Sequence, residues 1–215
     1  MPYNEKISIK ENLEVPADAR LPTKYGEFRI RVFHEKATGL DHVALTLGDM
    51  KGPDSVLVRV HSECVTGDAF SSIRCDCGSQ LDDTLKKIQK KGWGCLLYLR
   101  QEGRGIGLHA KIQAYNLQDK GADTLDANLM LGLPADARDY SIASIILRNI
   151  GINKVSLLTN NPDKVEKLRK LGIQVEERVP LIVGVRSENR DYLQTKSRKM
   201  GHHISSSDLE RNSEN

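Results

Sequence analysis

The 215-residue chain is short of several things, and each shortage closes a class of function. Aromatic residues make up only 5% of it, too few for the stacking platforms on which proteins carry single-stranded nucleic acid. Long apolar runs are missing: stretches such as Cys95 to Leu99 fall far below the roughly 20 residues needed to cross a bilayer, so no membrane role is expected. The first twenty residues interleave Glu5, Lys6, Lys10, Glu11, Glu14 and Asp18 with isolated apolar side chains. They have no apolar centre like that of a secretion signal, and a cytoplasmic protein is expected. Neither sign of charge dominates; a net +3 is too mild to hold nucleic acid by electrostatics alone but suits a small polyanion. Cysteine is scarce too, four in all, and in a reducing compartment clustered thiols argue for metal binding or chemistry before disulfides.

What is present suits one compact domain, with 39% hydrophobic and 28% charged residues and no internal repeat. Glu27 to His34, His42 to Leu47 and Ser55 to His61 read as an antiparallel meander, with Gly48 and Lys51-Gly52-Pro53 turning the last two. From Ser79 the period becomes helical, with Leu81, Leu85 and Ile88 on one face, lysines on the other and Gly92 as the stop. Cys95 to Leu99 is a short strand that enters the glycine-rich turn Gln101 to Gly107, and a helix to about Lys120 follows. Residues 121–138 show little periodicity and read as a long loop, followed by a helix carrying Ile142, Ile145, Ile146 and Ile150. Lys154 to Leu158, Pro162 to Leu171 and Ile173 to Val179 form a strand-helix-strand unit. At its first turn, Thr159-Asn160-Asn161-Pro162 is expected to offer backbone N–H groups and Lys164 to an anion. The expected fold is α+β: a mixed, largely antiparallel sheet with packed helices and a zinc-binding loop. Residues 1–20 read as an extension, 21–202 as the folded domain and 203–215 as a disordered tail.

Cys64, Cys75 and Cys77 have the spacing Cys-x10-Cys-x-Cys, and Gly67 and Gly78 allow the backbone to fold the thiols together. Three soft ligands suit zinc and leave one position open for a water. A closed knuckle completed by His61 or another ligand, or three unconnected buried thiols, are the structural alternatives. Cys95 lies in an apolar strand and reads as a core thiol.

Four segments, in order, resemble GTP cyclohydrolase II: Arg59-Val-His-Ser-Glu-Cys-Val-Thr-Gly-Asp-Ala69, Arg74-Cys-Asp-Cys-Gly78, Arg100-Gln-Glu-Gly-Arg-Gly-Ile-Gly-Leu108 and Leu158-Thr-Asn-Asn-Pro162. The likeness runs from about Leu21 to His202. It implies zinc on Cys64, Cys75 and Cys77, magnesium with the triphosphate, and hydrolysis of GTP at C8 with release of formate and pyrophosphate. The product it implies is 2,5-diamino-6-(5-phosphoribosylamino)pyrimidin-4(3H)-one, the first step of riboflavin synthesis, made by a homodimer. It also implies GTP contacts from Arg59, Val60, His61, Ser62 and Glu63, from Gln80, from Glu102, Gly103 and Arg104, from Thr124, and from Thr159 and Lys164. Glu102 is a candidate acceptor for the guanine edge.

By the same resemblance, Tyr115 matches a tyrosine that handles a proton near C8, although Leu108, Ile112 and Tyr115 also share one helix face and could be core. Arg138 matches an arginine acting at the α-phosphorus and Asp136 its proton acceptor; a guanidinium is a poor nucleophile, and charge stabilisation is an equal reading of Arg138. With no room ahead of Leu21 for the extra synthase domain of many relatives, a single activity is expected. The rivals are a non-catalytic zinc module binding nucleotides or RNA, a variant that stops at the formamidopyrimidine, and a zinc deaminase, whose paired Pro-Cys-x-x-Cys signature is missing.

Overall fold

In the computed structural model, which describes residues 13–52, 54–134 and 136–211, seven strands form one mixed sheet. They are β1 (Ala17–Thr23), β2 (Gly26–Glu35), β3 (Leu40–Leu47), β4 (Val56–Ser62), β5 (Gly94–Leu99), β6 (Lys154–Leu158) and β7 (Gln174–Val179). Their order across the sheet is β1-β2-β3-β5-β4-β6-β7. The pairings β1–β2, β2–β3 and β3–β5 are antiparallel, while β5–β4, β4–β6 and β6–β7 are parallel. The sheet is therefore mixed as expected, with three antiparallel and three parallel pairings, the antiparallel ones joining more residues.

The meander expected over the second to fourth strands stops at β3, because β5 inserts between β3 and β4. β4 is instead a central strand: six of its seven residues are buried and it lies between β5 and β6. Pro53, in the turn expected there, lies outside the described residues, as do residues 1–12. β1 crosses the expected boundary at residue 20, pairing from Ala17 to Val32 through Thr23 to Gly26.

Eight α-helices accompany the sheet among the described residues: α1 (Val65–Asp68), α2 (Cys77–Lys91), α3 (Leu108–Gln118), α4 (Thr124–Met130), α5 (Ser141–Asn149), α6 (Pro162–Lys170), α7 (Arg190–Met200) and α8 (Ser206–Arg211). Alternation along β4 sends Val56, Val58 and Val60 to Ile142, Ile146 and Leu168 on one face, and Leu57 to Leu85 and Ile88 on the other. Each such buried aliphatic side chain contributes about 1.5–3 kcal/mol. α2 ends where expected, since Gly92 takes the left-handed conformation and its N–H reaches Ile88 O at 3.0 Å. α6 starts with Pro162, capped by the Asn161 side chain.

Two loop expectations are corrected. Residues 121–138 contain α4, hidden because Ala127 and Asn128 are buried while Leu129 and Met130 point outward, so no apolar stripe forms. The expected tail forms α8 as far as Arg211, since Ile204 and Leu209 bury against Val185 and Leu193.

Candidate active site

β4, β5 and β6 run parallel, so their C-terminal ends share one edge of the sheet. There the segments that follow Ser62, Leu99 and Leu158 converge on a cleft. Open parallel sheets place ligands at this edge.

The thiols of Cys64, Cys75 and Cys77 lie within 4.8 Å of one another, with Cys64 Sγ 3.7 Å from Cys75 Sγ. Two glycines make the approach possible. A Cβ on Gly67 would stand 3.0 Å from Cys75 Sγ, and one on Gly78 would stand 2.3 Å from the Gly67 carbonyl oxygen. Hydrogen bonds from Cys75 and Cys77 pull the Cys64 thiol far below its ordinary range, and the resulting charge, with burial, pushes Cys75 up to about 11. Three convergent sulfurs with a thiolate already favoured fit a divalent, thiophilic cation such as zinc.

His61 is not part of the cluster. Its Nε2 is 3.1 Å from both oxygens of Asp68, which also accepts from Tyr98 OH at 2.9 Å and Cys64 N at 2.9 Å. Burial, partly opposed by Asp68, lowers the imidazole pKa, so the neutral ring donates from Nε2 and leaves Nδ1 an unpartnered acceptor. Arg59 Nε and Ser62 Oγ are likewise buried without a protein partner. Orphaned polar atoms this close in sequence mark a site built for a polar ligand. Cys95 is fully buried in β5, its thiol pushed up to about 12 by burial, as a core thiol should be.

Among the described residues, six Arg or Lys side chains but two carboxylates, Glu63 and Glu102, line the cleft. Arg59 donates to Leu158 O at 2.9 Å and to Gln80; Gln80 donates to Asp76 at 2.5 Å, and Asp76 accepts from Lys196 at 2.7 Å. Lys164 is buried with its ammonium 2.7 Å from Val60 O, and burial, then Arg59 and Arg138, depress its pKa well below the ordinary lysine value. Arg138 forks onto Asp136 through Nε at 2.9 Å and through Nη2. Burial works against both charges, yet each stabilises the other: the carboxyl is lowered and the guanidinium raised. Burial, then Lys196, Arg138, Lys164 and Arg104, push His202 down to about 2. Even with Asp76 and Asp136 counted, cations outnumber carboxylates around the cleft, which suits a polyanion.

Most residues expected to touch substrate do line this cleft: Arg59, His61, Ser62 and Glu63, then Gln80, Glu102, Gly103 and Arg104, and finally Tyr115, Arg138, Thr159 and Lys164. Val60 contributes only its carbonyl, to Lys164. Thr124 opens α4, and its side chain lies outside the described residues. Tyr115 is not core: Leu108 and Ile112 are 42% and 46% exposed, whereas Tyr115 faces the cleft with Arg74 4.3 Å from its ring centre. Burial pushes its phenol up to about 12.

At the Thr159 turn, backbone N–H groups expected to face an anion are engaged inside the protein. Thr159 N–H is spent on Val179 O, Asn161 N–H on Thr159 Oγ1, and Asp163 N–H on the Asn161 cap. Gly103 N–H is spent on Glu102. Glu102 is also engaged inside the protein, accepting from Val65 N at 2.7 Å, Gly103 N at 2.8 Å and Lys111 Nζ at 2.9 Å.

A family model described as GTP cyclohydrolase II matches residues 14–180. The chain belongs to the GTP cyclohydrolase II family. Among curated relatives, the GTP cyclohydrolase-2 of Hahella chejuensis is 58% identical over 86% of this chain and 90% of its own length. Those of Neisseria meningitidis and Proteus mirabilis are 54% and 57% identical, covering 92% and 86% of this chain and 100% and 94% of theirs. A solved two-domain 3,4-dihydroxy-2-butanone 4-phosphate synthase from A. baumannii aligns over 69% of this chain and 34% of its own, with a TM-score of 0.40 at 19% identity, a likeness that carries no argument.

As a member of the GTP cyclohydrolase II family, the protein is a hydrolase. Several residues escape sequence reading: Lys111, Tyr192, Lys196 and His202 in the cleft lining, and Asp68 and Asp76, which bond to the lining residues His61, Gln80 and Lys196. Of these, only Asp68 and Asp76 had a local signal, their places within the segments Arg59–Ala69 and Arg74–Gly78.

Proposed function

We propose that this chain hydrolyses GTP at the imidazole ring, losing C8 as formate and cutting off pyrophosphate, to give 2,5-diamino-6-(5-phosphoribosylamino)pyrimidin-4(3H)-one at the entry to riboflavin synthesis. One observation carries the reading: a three-thiol cluster and a cation-rich wall line the same cleft. Ring hydrolysis and phosphate release need those two environments side by side.

Cys64, Cys75 and Cys77 would hold zinc, which supplies Lewis acidity that makes a water acidic near neutral pH. Tyr115, protonated at neutral pH and facing the cleft, holds a proton beside the purine. His61 and Ser62 offer an acceptor and a hydroxyl that the protein leaves unpartnered. Arg59, Arg104, Arg138 and Lys164 receive the triphosphate, and magnesium entering with it offsets part of its charge. Arg138, held charged by Asp136, stabilises charge developing on the phosphate; the same pairing speaks against its service as a nucleophile. The homodimer finds support in Leu108 and Ile112 of α3 and Leu129 and Met130 of the adjoining α4, all exposed.

Zinc-loaded protein given GTP and magnesium is expected to release formate and pyrophosphate, and a Cys75→Ser variant to lose formate release. Pyrophosphate alone from the unaltered protein would remove the ring-opening assignment; neither product from folded, zinc-replete protein would remove the function altogether.

A further inference from the structure

A lysine that is only 9% exposed costs solvation, and Lys111 sits on the inward face of α3 beside Ala114 while the apolar Leu108 and Ile112 of the same helix stand in solvent. Its ammonium has three donors and all three are placed: Cys64 Sγ at 3.1 Å, Thr66 Oγ1 at 2.9 Å and Glu102 Oε1 at 2.9 Å. Glu102 is pinned in turn by the Val65 and Gly103 N–H groups, so the lysine is braced from behind and directed at the sulfur. The ion pair with Glu102 does not explain the sulfur contact, because a shorter side chain or a different rotamer could satisfy the carboxylate alone.

Charge supplies the explanation. Three thiolates and a divalent cation sum to one negative charge, and electron-rich sulfur weakens the acidity that the metal can confer on a water. A hydrogen bond to a ligating sulfur draws electron density away from the metal and tunes it. We propose that Lys111 is a positioning residue for the metal centre: by donating to Cys64 it offsets the excess negative charge of a three-cysteine site and keeps the bound ion a usable Lewis acid. The inference rests on the reading above that these cysteines hold zinc.

Cobalt(II) titration of the full-length metal-free protein tests it without recourse to turnover. The unaltered chain is expected to bind one cobalt with a thiolate-to-metal charge-transfer band. Lys111→Met should bind roughly 10- to 100-fold more weakly, and its band should move to lower energy because a sulfur without its donor gives up electrons more readily. Lys111→Arg, which keeps the charge, should recover most of both properties. A folded Lys111→Met protein with unaltered affinity and band position would overturn the inference while leaving the metal reading intact. An unaltered chain with no thiolate band would remove the metal reading and the inference with it. Should Lys111→Met not fold, Lys111→Gln keeps a neutral donor toward Glu102 and Thr66; about tenfold weaker cobalt binding supports the role of charge, and unchanged binding overturns it.

Discussion

β1 and β4 are both seven residues long, yet β1 has no buried residue and β4 has six. β1 edges the antiparallel side and is laced to β2 by exposed ion pairs, Arg20 with Glu27 and Asp18 with Arg29 and Arg31. β4 lies between parallel neighbours, covered on both faces, and three of its own residues, Arg59, His61 and Ser62, reach the cleft. The contrast shows how the work is divided. The antiparallel side ends the sheet in a solvent-exposed edge strand, while the parallel side aligns several strand ends at one edge, where loops far apart in the chain can share a ligand.

The sharpest way to break this contrast is at the cleft. Arg138→Lys keeps a positive charge but loses the fork onto Asp136, and pyrophosphate release is expected to fall roughly 10²- to 10³-fold with zinc content unchanged. An equal loss of zinc would mean that the cation wall and the thiol cluster are not separable. A smaller effect is expected in stability. Unfolded His202 takes up a proton near its ordinary 6.5, whereas the folded side chain resists until about 2. Acidification from pH 6.5 to 5 therefore favours the unfolded state, by about 1–2 kcal/mol, and His202→Gln should flatten that part of a pH series of denaturation curves. The smallest effect belongs to the other region: Arg20→Ala on β1 should leave melting temperature and GTP turnover unchanged, and a clear loss of either would give the edge strand a role that its exposure denies.

What the sequence makes legible follows from how local each signal is. The thiol cluster is local: all three cysteines and the two glycines that let them meet fall between residues 64 and 78. The strand-helix-strand unit from Lys154 is local too, and its cap, proline and parallel pairing are all present. Strand neighbours are not local. Alternation says which face a side chain takes, not which strand lies alongside, so the insertion of β5 beside β4 cannot be read from either segment. Lys196 meets Asp76 across 120 residues, from a helix whose charged composition reads as surface. The turn at Thr159 illustrates a different limit: suitable residues do not reveal which N–H groups are engaged internally, as that of Thr159 is on Val179.

Lys164 carries a consequence for any attempt to improve this protein. Its buried ammonium rests on the Val60 carbonyl, surrounded by other cations, and forms no ion pair among the described residues. Such a position lowers the stability of the empty molecule and is redeemed only when a polyanion arrives. A laboratory selection for heat resistance alone would thus drift toward an apolar side chain at 164, and the hardiest descendants would be the poorest at holding their substrate.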